Sequence, residues 1–297
     1  MSPPSTYFVS GVTGKQGGAA ARHLLAQGYA VKGLTRDPTK TAQLERMGVK
    51  PIVGDLREPD TFVRHLKGVA GFYIVTTPFA RVAETPHSEA WAEDEVRQQR
   101  GALDAADSAR VPHVILGSVG LADQERGVAI HSCKLVGERR ARELGLRVTI
   151  LRPSNFMENW TDPGLLATFR ETGLWQLPLK PDTPMPHIAT DDIGRIVLWA
   201  FQHPGQSVGE TWELSGEVTT LPAMAESVAE TLGFPLVYSE LSDDQARKDG
   251  WDDASLGLFR WLDRIQYHPN VATLEDKFGF RMTSFREHLQ RVRPQKT

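Results

Sequence analysis

In the first half of the chain, short β-branched and apolar runs alternate with longer stretches of helical periodicity. Tyr7–Ser10, Ala30–Thr35, Val49–Val53, Gly71–Thr76, His113–Gly117 and Arg147–Leu151 read as strands. Gly17–Gln27, Glu89–Ala109 and Lys134–Leu144 read as helices between them. The strand segments are apolar on both faces, as expected where helices cover both sides of a parallel sheet. Strand–helix repeats of this kind over about 150 residues predict an α/β fold with a doubly wound parallel sheet. After Pro153 the rhythm changes: Gly, Pro and Trp become frequent, and Trp212–Leu214 and Leu236–Leu241 are short, scattered strand signals. Helical patterns at Leu221–Leu232, Asp253–Arg264 and Ser284–Val292 dominate the remainder. Residues 1–155 are expected to form the parallel-sheet domain, with a strand and helix over 185–203 returning to it. Residues 156–297 would form a smaller, mostly helical and discontinuous C-terminal substrate domain.

Composition narrows the class. The 297 residues carry 34 basic and 37 acidic side chains, a formal net charge of −3, so bulk attraction for nucleic acid or anionic lipid is not expected. The start, MSPPST, lacks the basic and apolar regions of a signal peptide, and no apolar run approaches bilayer length. A cytoplasmic protein with no membrane or nucleic-acid partner is the expectation. The one cysteine, Cys133, excludes an intramolecular disulfide, and no His, Asp or Glu spacing suggests a metal site.

The strongest chemical signal is the run from Tyr7 to Gly18, YFVSGVTGKQGG. A strand enters a turn with glycines at 11, 14 and 17, and a helix of small residues follows. Gly11 permits the tight turn, Gly14 lets backbone approach a pyrophosphate, and Gly17 allows close helix–strand packing. The N–H groups and dipole of the helix then hold the phosphates. Thr13, Lys15 and Gln16 complete the loop. At the first strand–helix turn of this pattern, the glycines predict a dinucleotide-binding Rossmann domain. The second strand ends Gly33-Leu-Thr-Arg36-Asp37-Pro-Thr-Lys40. NAD-preferring sites usually place an acid there for the ribose 2′-OH. Arg36, with Lys40 beyond it, is instead suited to a 2′-phosphate, so NADP(H) is favoured over NAD(H). Asp55, followed by Leu56, is placed either to reach the adenine amino group or to cap the next helix. Thr76 and Thr77 end the fourth strand, at the edge where ligands collect in open α/β sheets.

Together the segments GVTGKQGG, LTRDPTK, Val53-Gly-Asp-Leu56 and HSCK…LRPSNFMENW resemble NmrA-like proteins, a branch of the atypical short-chain dehydrogenase/reductases. The resemblance covers most of residues 5–203. It implies pyrophosphate binding by the glycine loop, 2′-phosphate contacts from Arg36 and Lys40, and Lys134 beside the nicotinamide ribose. It also implies that the stretch holding Pro153, Asn155 and Phe156 lines the nicotinamide end. Many short-chain dehydrogenases use Tyr-x-x-x-Lys, the tyrosine serving as acid/base. Here the position four before Lys134 is Ile130. His131 shares a helical face with Lys134 and either relays a proton or caps the helix, while Lys134 either orients the ribose or acts as the catalytic acid itself. Ser118, after the fifth strand, either bonds a substrate oxygen or ties down a loop.

Two functions are consistent with these residues. One is an NADPH-dependent reductase for a small apolar acceptor (a quinone, enone, imine or dye), which asks little of an acid catalyst. The other is a non-catalytic NADP(H) redox sensor acting through a protein partner. The missing tyrosine favours the sensor, and the His131/Lys134 pair with a full C-terminal domain favours the enzyme. A homodimer is compatible with either.

Overall fold

The computed structural model describes residues 5–76, 89–124 and 129–293. Its strands are β1 (Thr6–Val9), β2 (Ala30–Thr35), β3 (Val49–Val53), β4 (Gly71–Ile74), β5 (Val114–Gly117) and β6 (Val148–Pro153), then β7 (Asn155–Phe156), β8 (Leu174–Leu177), β9 (Met185–Ile188), β10 (Thr211–Leu214), β11 (Glu217–Thr219) and β12 (Val237–Glu240). Seven of them form one sheet in the order β10-β6-β5-β4-β1-β2-β3. Phe8 pairs with Lys32 on one side and Phe72 on the other, and Val114 with Phe72 and Val148, all in parallel register. β4, β5 and β6 are buried along their length, whereas β3 alternates and carries Pro51, tolerable at a sheet edge where one ladder donor is dispensable.

The chain divides into two units, Met1–Arg152 with Ile193–Glu213, and Pro153–Asp192 with Leu214–Thr297. In the first, the helices preceding β6 are α1 (Lys15–Ala26), α2 (Thr41–Arg46), α3 (Val63–Leu66), α4 (Glu89–Ser108) and α5 (Ala129–Glu143). One core layer joins Phe8, Phe62, Phe72 and Leu66 to Leu103 and Ala106 of α4, with Phe8 and Phe72 edge to face at 5.1 Å. On α1, Gly17 to Ala21 and Leu24 are buried. The sheet reverses direction of growth between β1 and β4, because β2 and β3 lie on one side of β1 and β4 to β6 on the other. Ser10 closes that junction: its hydroxyl donates to Val75 O at 2.9 Å and accepts from Val75 N–H at 2.7 Å. A crevice opens at such a switch point, beyond the carboxyl ends of the strands.

The second unit has its own core of Trp175, Phe169, Met157, Met224, Phe285 and Leu289. It holds a three-stranded sheet, β11-β9-β7, and a parallel pair, β12-β8. The segment 185–203 does not return whole to the main sheet. β9 pairs instead with β11 on one side and β7 on the other, and His187 reaches Glu217 at 3.5 Å. Its helix, Thr190–Gln202, belongs to the first unit from Ile193 onward, where Gly194 meets Ala19 of α1 so closely that a β-carbon would lie 2.7 Å from its backbone. The strand that joins the main sheet beside β6 is β10.

Candidate nucleotide and lysine site

The crevice at the switch point is a cleft of about 300 Å³ lined by Gly11, Thr13, Gly14, Arg36, Lys40, Asp55 and Leu56, among others. Each element delivers its residue for a local reason. Gly11 adopts φ +60°, a conformation that strains any side chain, and a β-carbon there would also press on Val75 at 3.1 Å. Gly14 is the N-cap of α1 and, having no side chain, offers none to cap the helix. The acid-free first turn of α1 therefore presents backbone donors and a positive dipole end to the cleft. Gly17 packs against the main chain of Ser10 and Gly11. Lys15 is exposed, and Gln16 turns toward the sheet, its carbonyl oxygen accepting from Tyr73 Oη at 3.2 Å.

At the other end, Arg36 is half-buried at the end of β2 and Lys40 is exposed on the rim. Asp37, which also lines the cleft, caps the next turn, its carboxylate accepting from Thr39 N–H at 2.9 Å and Thr39 Oγ1 at 2.6 Å. Those bonds hold it below the usual carboxylate range. Asp55 both lines the cleft and accepts from Arg57 N–H at 2.9 Å and from the Arg57 guanidinium at 3.0 and 3.1 Å. Arg57 in turn grips Asp94 of α4. Burial raises the Asp94 carboxyl, but the Arg57 bonds outweigh it and hold the group low.

Lys134 projects from α5 to the end of β4. Its ammonium donates to Thr76 Oγ1 at 2.7 Å and lies 2.6 Å from Glu95 Oε1 of α4. His131 is buried on the same helix, but the ammonium's partners are Thr76 and Glu95. Ser118 Oγ donates to Glu138 at 2.6 Å, and Glu138 is doubly bonded to Arg152 at 2.8 and 2.9 Å. Ser118 is thus tied into a buried network that fixes the ends of β5 and β6 to α5. Burial pushes the Cys133 thiol up to about 12, with the Glu95 carboxylate adding to the effect. Pro153 ends β6, while Asn155 and Phe156 form the half-buried β7 of the second unit. Thr77 lies outside the described residues.

The polar face of α4 was not anticipated from the sequence. Glu95, Gln98 and Gln99 are buried in phase with Ala102, Ala105 and Ala106, and Gln98 lines the cleft. The signal was there: three polar residues interrupt an apolar stripe at helical spacing. A larger groove of about 650 Å³ runs beside α4 and α5, lined by Arg57, Pro59, Val96, Arg100 and Cys133, without the glycine loop or Lys134. Among the described residues no cluster of three or more His, Cys, Asp or Glu could hold a metal, and no helix is long and apolar enough to cross a membrane.

The model of the NmrA-like family matches residues 3–285. An NAD(P)H azoreductase from Xenophilus azovorans is 26% identical over 242 residues, 81% of this chain and 79% of that protein. The structure of a Citrobacter triphenylmethane reductase complexed with NADP(H) superposes with a TM-score of 0.79 at 18% identity, covering 97% of this chain and 99% of the other. An NADPH-dependent quinone oxidoreductase from Escherichia coli, complexed with NADPH, gives 0.80 at 18% identity, with 96% and 99% covered. At these identities the two superpositions speak for the fold.

Proposed function

The chain belongs to the NmrA-like family, and on that footing we propose that it is an NADPH-dependent reductase acting on a small, flat, apolar acceptor such as a quinone, enone, imine or dye. The observation that carries this reading is the cleft itself, in which the glycine loop and α1 face Arg36 and Lys40 across a space of nucleotide size. When bound, NADPH supplies the hydride. The chain's own residues do the remaining work. The N–H groups of Lys15, Gln16 and Gly17 hold the pyrophosphate, and Arg36 and Lys40 hold the 2′-phosphate. Asp55 serves chiefly as a turn and ion-pair residue, leaving Leu56 to cover the adenine side. Lys134, fixed by Thr76 and Glu95, orients the nicotinamide ribose and stands nearest the missing tyrosine's role. Water can protonate a reduced quinone or dye, so Ile130 in place of tyrosine is compatible with turnover. The relatives that resemble this chain are named as an azoreductase, a triphenylmethane reductase and a quinone oxidoreductase, which supports an acceptor of the quinone or dye class.

Ile130 also motivates the second reading, a cofactor-sensing regulator with a protein partner. One experiment separates them: NADPH consumption against a panel of quinones, enones, imines and azo and triarylmethane dyes, beside calorimetric titration of NADPH and NADH. Turnover that is lost in Lys134→Met establishes the reductase. Tight NADPH binding without turnover across the panel refutes it in favour of the regulator.

A further inference from the structure

The lysine of this site is held from below by a carboxylate on a different helix. Glu95 is fully buried, and its Oε1 collects three donors: the Lys134 ammonium at 2.6 Å, the Thr76 hydroxyl, and Gln99 Nε2 at 2.7 Å. Its Oε2 has no hydrogen-bond partner among the described residues. Burying a carboxylate is unfavourable unless a cation and further bonds compensate, and one with an unmet oxygen depends all the more on its cation. A residue serving only to pack α4 would continue the apolar stripe of Ala102, Ala105 and Ala106. Instead the stripe turns polar where it reaches the carboxyl end of β4. The neighbouring helix is built to accommodate this. A β-carbon on Gly137 of α5 would lie 1.6 Å from Gln99 Oε1, so glycine there leaves room for the amide that pins Glu95.

We propose that Glu95 is the positioning residue for Lys134. It fixes the ammonium against Thr76, so that the nicotinamide ribose meets a lysine already confined to one place. A free lysine would lose the freedom of four side-chain torsions on binding, and confinement in advance removes that loss. The inference rests on the reading of the cleft as an NADPH site, and it concerns the nicotinamide half of the cofactor alone.

That restriction makes it testable without any acceptor. NADPH and adenosine 2′,5′-bisphosphate, which carries the adenosine and 2′-phosphate but no nicotinamide ribose, are titrated calorimetrically into wild type, Glu95→Gln, Lys134→Met and the double variant. Glu95→Gln is expected to weaken NADPH about tenfold, on the scale of one charge-assisted hydrogen bond, and to leave the bisphosphate unchanged. In the Lys134→Met background the same substitution should have no further effect on NADPH. Loss of affinity for both ligands alike, equal losses with and without Lys134, or no loss at all would overturn the assignment. Should Glu95→Gln fail to fold, Glu95→Asp keeps the charge but withdraws it by one methylene. It should show the same NADPH-selective loss, and wild-type NADPH affinity in that variant would overturn the proposal. A wild type that binds NADPH without turnover removes the reductase but leaves this test intact; one that binds neither ligand removes both.

Discussion

Gly14 and Gly17 lie in one loop and respond to the same substitution in opposite ways. A β-carbon on Gly17 would sit 2.4 Å from Gly11 O, 2.5 Å from Gly11 C and 2.6 Å from Ser10 O. All three are main-chain atoms, so no rotamer change relieves the overlap. Restoring ordinary carbon contacts requires α1 to move off β1 by roughly 1 Å. Overpacking of this kind costs about 1–3 kcal/mol, and a backbone clash belongs to the upper part of that range. Alanine returns at most about 1 kcal/mol of helix propensity, so the clash wins by about 2 kcal/mol. At about 2–4 °C per kcal/mol, Gly17→Ala should lower Tm by roughly 4–8 °C. At Gly14 the β-carbon would meet only Gly11 O, at 3.3 Å, and φ of −98° suits any residue. Gly14→Ala should therefore cost only the N-cap preference for glycine over alanine, about 1 kcal/mol or less. Its methyl nevertheless occupies the pyrophosphate's approach, and NADPH affinity should fall by about tenfold or more. Scanning calorimetry without cofactor, followed by NADPH titration, measures both quantities. A Gly17→Ala protein with the wild-type Tm would refute the packing argument. A Gly14→Ala protein with wild-type affinity would remove the glycine loop from the site.

Arg36→Ala should weaken NADPH by about 1.5–3 kcal/mol and barely alter NADH, because only NADPH carries the 2′-phosphate; equal weakening of both in a titration would break that assignment. His113 supplies a pH dependence. Its Nε2 lies 2.8 Å from Thr149 Oγ1, whose own proton is committed to Ser207 O, so Nε2 is the donor and the buried Nδ1 has no partner among the described residues. Burial, with Arg147 assisting, lowers this histidine from the ordinary 6.5 to about 4. Between those values the unfolded chain binds the proton and the native chain does not. Its contribution to stability is therefore complete above pH 6.5 and falls by about 3 kcal/mol as pH drops to about 4. Urea midpoints across that window should show this, and His113→Gln should flatten the slope; an unchanged slope in the variant would assign the effect elsewhere. Cys133 should resist a thiol reagent in the native protein at neutral pH and release one equivalent in urea, since burial keeps it protonated; native labelling would contradict the packing of α5.

The strands of the main sheet and the glycine loop were legible because each rests on local chemistry. Val49–Val53 and Ala30–Thr35 are found at the positions that their patterns predict. Arg36 was legible for the same reason, since its place at the end of the second strand follows from the repeat. The small sheet was not legible. Met185–Ile188 has a strand's composition, and no local pattern tells that its partners are Glu217–Thr219 and Asn155–Phe156 rather than the main sheet. Ser118 was visible as a polar residue at a strand end, but its partner Glu138 is 20 positions away and Arg152 a further 14. No periodicity connects such residues. Asp55 remained open between two roles because the arginine that engages it is also held by Asp94, 37 residues along from Arg57.

Asp94 and Glu95 show how far a single turn of helix can organise a site. They are consecutive residues near the start of α4, so their side chains diverge by about 100° around the axis. Asp94 takes Arg57 and, through it, Asp55 at the cleft, whereas Glu95 takes Lys134 and Thr76 at the end of β4. Both carboxylates are anchored further along the same helix, Asp94 by Gln98 at 3.0 Å and Glu95 by Gln99 at 2.7 Å, each four residues on. Two parallel i, i+4 hydrogen bonds thus run along one helix, and of their residues Gln98 lines the cleft. Arg57 and Lys134 are held by consecutive residues of α4, so a shift of α4 would move both contacts together. In a protein that lacks the tyrosine of the Tyr-x-x-x-Lys helix, that is a physical reason for the lysine to be referenced to α4 and not to its own helix.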